Sequence, residues 1–292
     1  MSTSWWYFDT NCISELIKLY LNGYSQEVDK FLLRRDVLIS SSVMQELRKA
    51  PNLLSTIPEI FQTANLFVIP DLTRFWYADF AIYQDKNSSI FNLLDLFRPP
   101  NGFFTGLLGH YSCKFEKACK QSEELVSEKF IDLIKSDIGA DIDERDLCII
   151  IWQKIVKLGK QWFGIEIPPF DSNAMNFPAF YVFYYVYFFK FIKNAFSKPV
   201  NNDFIDLANC LAAPYCERYY CEAKFAAVLR NEIKNRQPPT AFQLAKRLYK
   251  KGFVSQKDFE GIRKFKNKFE VTNSLLQTTD IFSFAELRKQ IT

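Results

Sequence analysis

Residues 5–11, which run Trp5-Trp6-Tyr7-Phe8-Asp9-Thr10-Asn11, set the architecture of this chain. Four large apolar side chains in succession predict a short strand that is buried on both of its faces. The polar residues from Asp9 to Asn11 end that strand. The apolar spacing that follows predicts a helix, with Ile13, Leu16, Ile17 and Tyr20 on one face.

The same order of strand and helix recurs along the chain. Asp36–Ser40 is a second apolar run, and residues 43–47 after it have a helical pattern. Asn65–Ile69 and Arg218–Cys221 are two further β-like runs, and we expect a last short strand, with no position assigned to it, between residues 252 and 282. Strands that alternate with helices predict an α/β fold with a parallel sheet flanked by helices.

The middle of the chain reads mostly as helix, in the ranges 72–98, 106–136, 144–162 and 175–196. We therefore predict a discontinuous α/β core of residues 1–70 and 197–292, and a large helical insertion of residues 71–196. Its last helix, 175–196, is expected to pack on the core. Residues 177–189 include nine aromatic side chains, but thirteen residues cannot span a bilayer, which needs about 20. A buried helix and no membrane contact are expected.

Composition removes several classes of protein. The chain of 292 residues has one histidine, His110, so it cannot build a multi-histidine metal site. His110 with Cys113 and Cys119 does not complete a four-ligand zinc site. The glycines form neither GxGxxG nor a Walker loop. Seven cysteines without paired spacing indicate reduced thiols, and the N-terminus has no signal-peptide pattern, so we expect a cytoplasmic protein.

Acidic residues follow or flank the predicted strands. In an open parallel sheet, ligands bind beyond the carboxyl ends of the strands, where these acids would meet. Two carboxylates about 4 Å apart repel by about 4 kcal/mol at an effective dielectric constant of 20, and a hard divalent cation removes that repulsion. Oxygen ligands alone favour Mg²⁺ or Mn²⁺. The acids concerned are Asp9, Glu46, Asp203, Asp206 and Glu222.

Each acid also has a purely structural interpretation. Asp9 and Asp203 could cap the helices that follow them, and Glu46 could be a surface acid. Glu222 could pair with Lys224. The basic residues from 224 to 268, thirteen Lys and Arg against three acids, could guide an anionic partner or form the solvated face of a helix.

Four segments together resemble PIN-domain ribonucleases. They are YFDTN (7–11), ISSSVMQEL (39–47), NDFIDL (202–207) and APYCERYYCEAKF (213–225). The resemblance implies metal-binding acids at Asp9, Glu46, Asp203 and Glu222, with Asp206 as a supporting acid and Asn11 as a polar partner. Glu222 departs from the family, in which Asp is usual there, and the stretch between Glu46 and Asp203 is longer than in compact members. Haloacid-dehalogenase-like phosphatases are excluded, because they need Asp-x-Asp where this chain has Asp9-Thr10-Asn11.

The resemblance implies an Mg²⁺- or Mn²⁺-dependent nuclease with a PIN-like α/β core that hydrolyses RNA, with DNA as the alternative substrate. The alternative is a catalytically impaired PIN-like module that binds RNA or a protein partner. A toxin–antitoxin pairing with an antitoxin-like protein is plausible from the family alone, and the oligomeric state is not predicted. Contacts to nucleic acid are assigned to Lys224, Lys246, Arg247, Lys250 and Lys251.

Overall fold

The computed structural model describes residues 4–106, 148, 151–153, 155, 160, 161, 164, 176–189, 202–234, 276 and 278–292. Within these ranges the strands are β1 Trp5–Phe8, β2 Asp36–Ser40, β3 Asn65–Ile69, β4 Arg218–Cys221 and β5 Asp280–Ser283. The first helices are α1 Thr10–Leu19, α2 Ser25–Leu32, α3 Ser41–Leu47, α4 Pro51–Ile60, α5 Arg74–Gln84, α6 Ile90–Leu93 and α7 Phe103–Gly106. The later ones are α8 Pro178–Tyr187, α9 Asn202–Asn209, α10 Ala223–Ala227 and α11 Phe284–Ile291.

The five strands form one parallel sheet in the order β3-β2-β1-β4-β5. β1 lies at the centre, where Trp5 pairs with Asp36 of β2 and Trp6 pairs with Arg218 of β4. The chain first builds the sheet outward from β1 to β3, and then continues on the other side of β1 with β4 and β5. The predicted α/β class with an all-parallel sheet is confirmed.

Alternation along β1 divides the core into two layers. Trp5 and Tyr7 pack into one hydrophobic cluster with α5 and α8, whereas Trp6 and Phe8 pack into a second cluster with α1 and α4. All four side chains are buried, which explains why the strand reads as a continuous apolar run.

Aromatic side chains stack across the central strands. Tyr7 and Tyr219 have ring centroids 5.1 Å apart with an interplanar angle of 6°, and Phe8 and Tyr220 are 4.6 Å apart at the same angle. Such cross-strand aromatic pairs stabilise a sheet beyond the area that they bury. They account for part of the high aromatic content.

Side-chain caps begin two of the helices that follow strands. The Ser40 hydroxyl accepts a hydrogen bond from the Val43 backbone N–H at the start of α3. Ser283 and Glu286 form a capping box at the start of α11, in which the Ser283 N–H donates to Glu286 at 2.8 Å. The sharp strand-to-helix turns that place side chains at the carboxyl edge therefore have local causes.

The structure gives detail to two expectations about elements. Residues 72–98 contain two helices, α5 and α6, and end with Phe97 paired to Val68 of β3. The expected last strand is Asp280–Ser283, which ends one residue beyond the predicted range.

The aromatic segment 177–189 forms α8 and is buried, as expected: eight of its ten α8 side chains are inaccessible to solvent. Among the helices that the structure describes, none has both the length and the apolar character needed to cross a membrane. The ranges 106–136 and 144–162 lie largely outside the described residues, as do His110, Cys113 and Cys119. The division into core and insertion stays a prediction.

Candidate functional site

The topology has a switch point at the carboxyl ends of β1 and β4. Connections leave β1 in one direction towards β2, whereas β4 lies on its other side, so the strand order reverses between β1 and β4. Such a switch point is where open α/β sheets bind ligands. Asp9 follows β1 and Glu222 follows β4, so two of the predicted acids flank this switch point.

Asp9 is fixed at the switch point by backbone hydrogen bonds. Its N–H donates to the Tyr220 carbonyl of β4 at 3.0 Å, and its Oδ1 accepts from the Cys12 N–H at 2.8 Å. Asp9 therefore caps α1, as its structural interpretation proposed. The side chain is 4% exposed, so a carboxylate with no cation beside it is costly here.

The pKa of Asp9 reflects that cost. Burial, and then the charge of Asp206, raise it from 3.8 to about 7, while the backbone amides of Cys12 and Glu222 act in the opposite direction. No Lys or Arg nitrogen lies within 4.0 Å of this carboxylate in the part of the chain that the structure describes. A bound cation would supply the missing positive charge.

Asp206 and Glu222 lie close enough to the same point to act electrostatically on it. Burial is the largest cause that raises the pKa of the Cys221 thiol, and the charges of Asp9 and Asp206 follow. Glu222 raises that pKa further, and Arg230 lowers it. Asp9, Asp206 and Glu222 therefore all act on the pKa of the thiol at the end of β4, and the Arg230 guanidinium opposes them.

Glu46 reaches this edge through its contact with Thr10. Glu46 lies at the end of α3, and its Oε2 accepts a hydrogen bond from the Thr10 hydroxyl in the first turn of α1. The bond joins the helix after β2 to the helix after β1. Glu46 is therefore fixed by a hydrogen bond, unlike the solvent-exposed acid of its structural interpretation.

A buried polar network lies beside the acids. The Asn209 Oδ1 accepts from the Tyr7 hydroxyl at 2.7 Å, from the Ser42 hydroxyl at 2.7 Å and from the Ser40 hydroxyl at 3.0 Å. All four residues are buried. Asn209 is in α9 with Asp206, so the network ties the helix of this acid to the ends of β1 and β2.

The described acids do not by themselves complete a metal centre. Within the described ranges, no three Asp, Glu, Cys or His side chains are grouped closely enough to hold an ion. The backbone of Asp203 lies in the first turn of α9, but its side chain is outside the described residues. Among charged side chains, Asp206 has the largest effect on the pKa of Asp9. The oxygen donors of these two residues suit a hard cation.

The remaining predicted contacts have mixed outcomes. Asn11 is exposed, and its neighbour Thr10 makes the contact to the acids instead. Lys224 is exposed on α10 and makes no ion pair with Glu222. Lys246, Arg247, Lys250 and Lys251 lie outside the described residues.

Sequence reasoning missed Thr10, Ser42 and Asn209. Ser42 belongs to a run of three serines after a strand, and Asn209 follows Asp206 at the helical spacing of three. Polar residues at buried helix positions are a usable signal, because buried polar groups require hydrogen-bond partners.

No protein-family model, curated protein or solved structure matches this chain. The geometry of the site and the motifs in the sequence are therefore the basis for any functional assignment.

Proposed function

We propose that the chain is a nuclease that hydrolyses RNA phosphodiester bonds with Mg²⁺ or Mn²⁺ at the carboxyl edge of β1 and β4. The observation that carries the proposal is Asp9: a buried carboxylate beside Asp206, at the switch point of a parallel sheet, with no basic partner within 4.0 Å among the described residues. A purely structural cap would have no need of the second acid.

The donor chemistry of the site fits a hard cation. Asp9 and Asp206 would hold the ion, and Asp203, Glu46 and Glu222 are the further acids proposed to contribute. All of them offer oxygen, which Mg²⁺ and Mn²⁺ prefer. When bound, such an ion supplies Lewis-acid chemistry for phosphodiester hydrolysis.

The residues around the acids would keep them in place. The Cys12 N–H fixes the Oδ1 oxygen of Asp9. Thr10 orients Glu46, and Asn209 fixes the helix of Asp206. The resemblance to PIN-domain ribonucleases supports the choice of RNA, and the basic residues 224–268 are proposed to guide the strand.

A module that binds RNA without cutting it is the second candidate. It is favoured because no three described acids are grouped closely enough to hold an ion, and because Glu222 stands where the resembled family usually has Asp. In that case the cation site is incomplete, although the basic residues 224–268 would still attract nucleic acid in a salt-dependent way.

Cleavage of an end-labelled single-stranded RNA tests the proposal. Wild-type protein is expected to cut it with Mg²⁺ or Mn²⁺, and not with EDTA. Asp9→Asn should abolish cleavage and keep RNA binding, as measured by fluorescence anisotropy. Asp36→Asn is the matched control, because it makes the same change at the amino-terminal end of β2, away from the acids, and it should keep activity.

Cleavage by Asp9→Asn at the wild-type rate would refute the proposed site. If wild-type protein binds RNA but cuts neither RNA nor DNA with either metal ion, the binding module replaces the nuclease.

A further inference from the structure

Two arginines flank one tryptophan ring near the amino-terminal ends of the strands, away from the acids. The guanidinium carbon of Arg218 lies 4.4 Å from the centroid of the Trp6 ring, and that of Arg35 lies 4.6 Å from it. Arg218 is in β4 and Arg35 precedes β2, on opposite sides of β1, so the two side chains approach Trp6 from opposite sides.

This arrangement concentrates positive charge. Because both guanidinium carbons are within 4.6 Å of one centroid, the two groups are at most about 9 Å apart. Like charges at that separation repel, and no carboxylate lies within 4.0 Å of either one in the described ranges. The adjacent acid Asp36 instead accepts hydrogen bonds from Ser4 and Asn65.

The guanidinium of Arg35 is exposed, whereas Arg218 is half-buried and its Nε is buried without a hydrogen-bond partner. A guanidinium above an aromatic face directs its N–H donors outward in its own plane, and this fork matches phosphate oxygens. Arg218 is held in place, since its Nη1 donates to the Tyr220 hydroxyl at 3.3 Å. That hydroxyl donates to Gln290 of α11 at 3.1 Å.

We propose that Arg35 and Arg218, stacked on Trp6, form a binding site for a ligand with two neighbouring phosphate groups. Two guanidinium groups this close can each bind one phosphate, which a single lysine or arginine cannot. The ligand is either a free diphosphate or adjacent phosphates of a nucleic-acid strand. The site is about 10 Å from Asp9, counted as three residues along β1 at about 3.3 Å each, and needs no metal ion.

Titration in EDTA separates this site from the proposed nuclease centre, because the acids cannot hold phosphate without a cation. Inorganic pyrophosphate is titrated by calorimetry, and a fluorescein-labelled ten-residue oligothymidylate by anisotropy. Wild-type protein is expected to bind at least one probe with 1:1 saturation. Saturation with pyrophosphate identifies a free diphosphate as the ligand, and saturation with the oligonucleotide alone identifies a strand.

Arg35→Gln and Arg218→Gln should each weaken that binding at least tenfold. Arg218→Lys keeps the charge but loses the fork, and should weaken it at least threefold. The matched control is Arg98→Gln, since Arg98 is an exposed arginine stacked alone, 5.2 Å from the centroid of Phe67. It should change affinity less than twofold.

The proposal is overturned if neither probe saturates, or if Arg98→Gln weakens binding as much as Arg35→Gln does. Arg35 is exposed and forms none of the hydrogen bonds described above, so Arg35→Gln tests the site even if Arg218→Gln does not fold. RNA cleavage can fail while phosphate binding at this site persists, and phosphate binding can fail while cleavage persists. The two proposals are therefore tested separately.

Discussion

Asp9→Asn should stabilise the metal-free protein at alkaline pH. The variant keeps the shape of the side chain and its helix cap, because Asn and Asp cap helices about equally well. It removes a carboxylate that is buried without a cation. In the metal-free protein, the ionised Asp9 side chain therefore lowers the stability of the fold.

The size of the effect follows from the pKa of Asp9. Burial and the charge of Asp206 raise that pKa from 3.8 to about 7. The folded state therefore holds a proton that the unfolded state has lost between about pH 4 and pH 7, and stability falls as the pH rises through this window. Three pKa units at about 1.4 kcal/mol each give a cost of about 4 kcal/mol at pH 8.

Urea unfolding in EDTA at pH 4 and at pH 8 measures the prediction. The free energy of unfolding of Asp9→Asn should exceed that of wild type by about 4 kcal/mol at pH 8, and by less than about 1 kcal/mol at pH 4. Asp36→Asn is the matched change outside the acidic edge. An Asp9→Asn variant that is no more stable than wild type at pH 8, or equally stabilised at both pH values, would refute the reasoning.

Three further predictions concern the surrounding structure. Asn209→Leu removes the acceptor of three buried hydroxyls and should lower the free energy of unfolding by at least about 2 kcal/mol; a loss below about 0.5 kcal/mol in urea unfolding would show that the network contributes little. Asp79→Ala should lower the free energy of unfolding by about 3 kcal/mol at pH 6, because the carboxyl accepts hydrogen bonds from the Phe180 N–H and the Tyr215 hydroxyl. Asp79→Asn should be tolerated. It should also remove the fall in stability between about pH 4 and pH 8 that wild type shows because burial raises the Asp79 pKa to about 8. Ser283→Ala should cost about 1 kcal/mol in the same measurement, through loss of the capping box, and an unchanged midpoint would contradict that role.

The strands of the central sheet were predictable because burial on both faces leaves a continuous apolar run. Trp5–Phe8, Asp36–Ser40, Asn65–Ile69 and Arg218–Cys221 are such runs, and the structure confirms all four. Asp280–Ser283 was not placed, because this edge strand has only two apolar residues, Ile281 and Phe282, and two are too few to mark a strand. The position of β5 is determined by its pairing with β4, which is a tertiary interaction that leaves no local signal in the sequence.

The candidate site divides in the same way. Asp9 and Glu222 could be placed from sequence, since each directly follows a strand whose end is marked by a polar residue. The Thr10 contact to Glu46 could not, because it joins residues 36 apart through the packing of two helices. The exposed position of Asn11 also depends on the rotation of α1, which its cap by Asp9 fixes.

Binding of Mn²⁺ tests the central claim most directly, because it asks whether the acids at the ends of β1 and β4 share a cation. Calorimetric titration at pH 8, where Asp9 is mostly ionised, should give one saturable event for wild type, and the affinity should fall at pH 5.5, where Mn²⁺ has to displace the proton on Asp9. Asp9→Asn should weaken binding at least tenfold, and Asp36→Asn should leave it unchanged. Equal affinities for wild type and Asp9→Asn, or no binding by the wild type, would contradict the account.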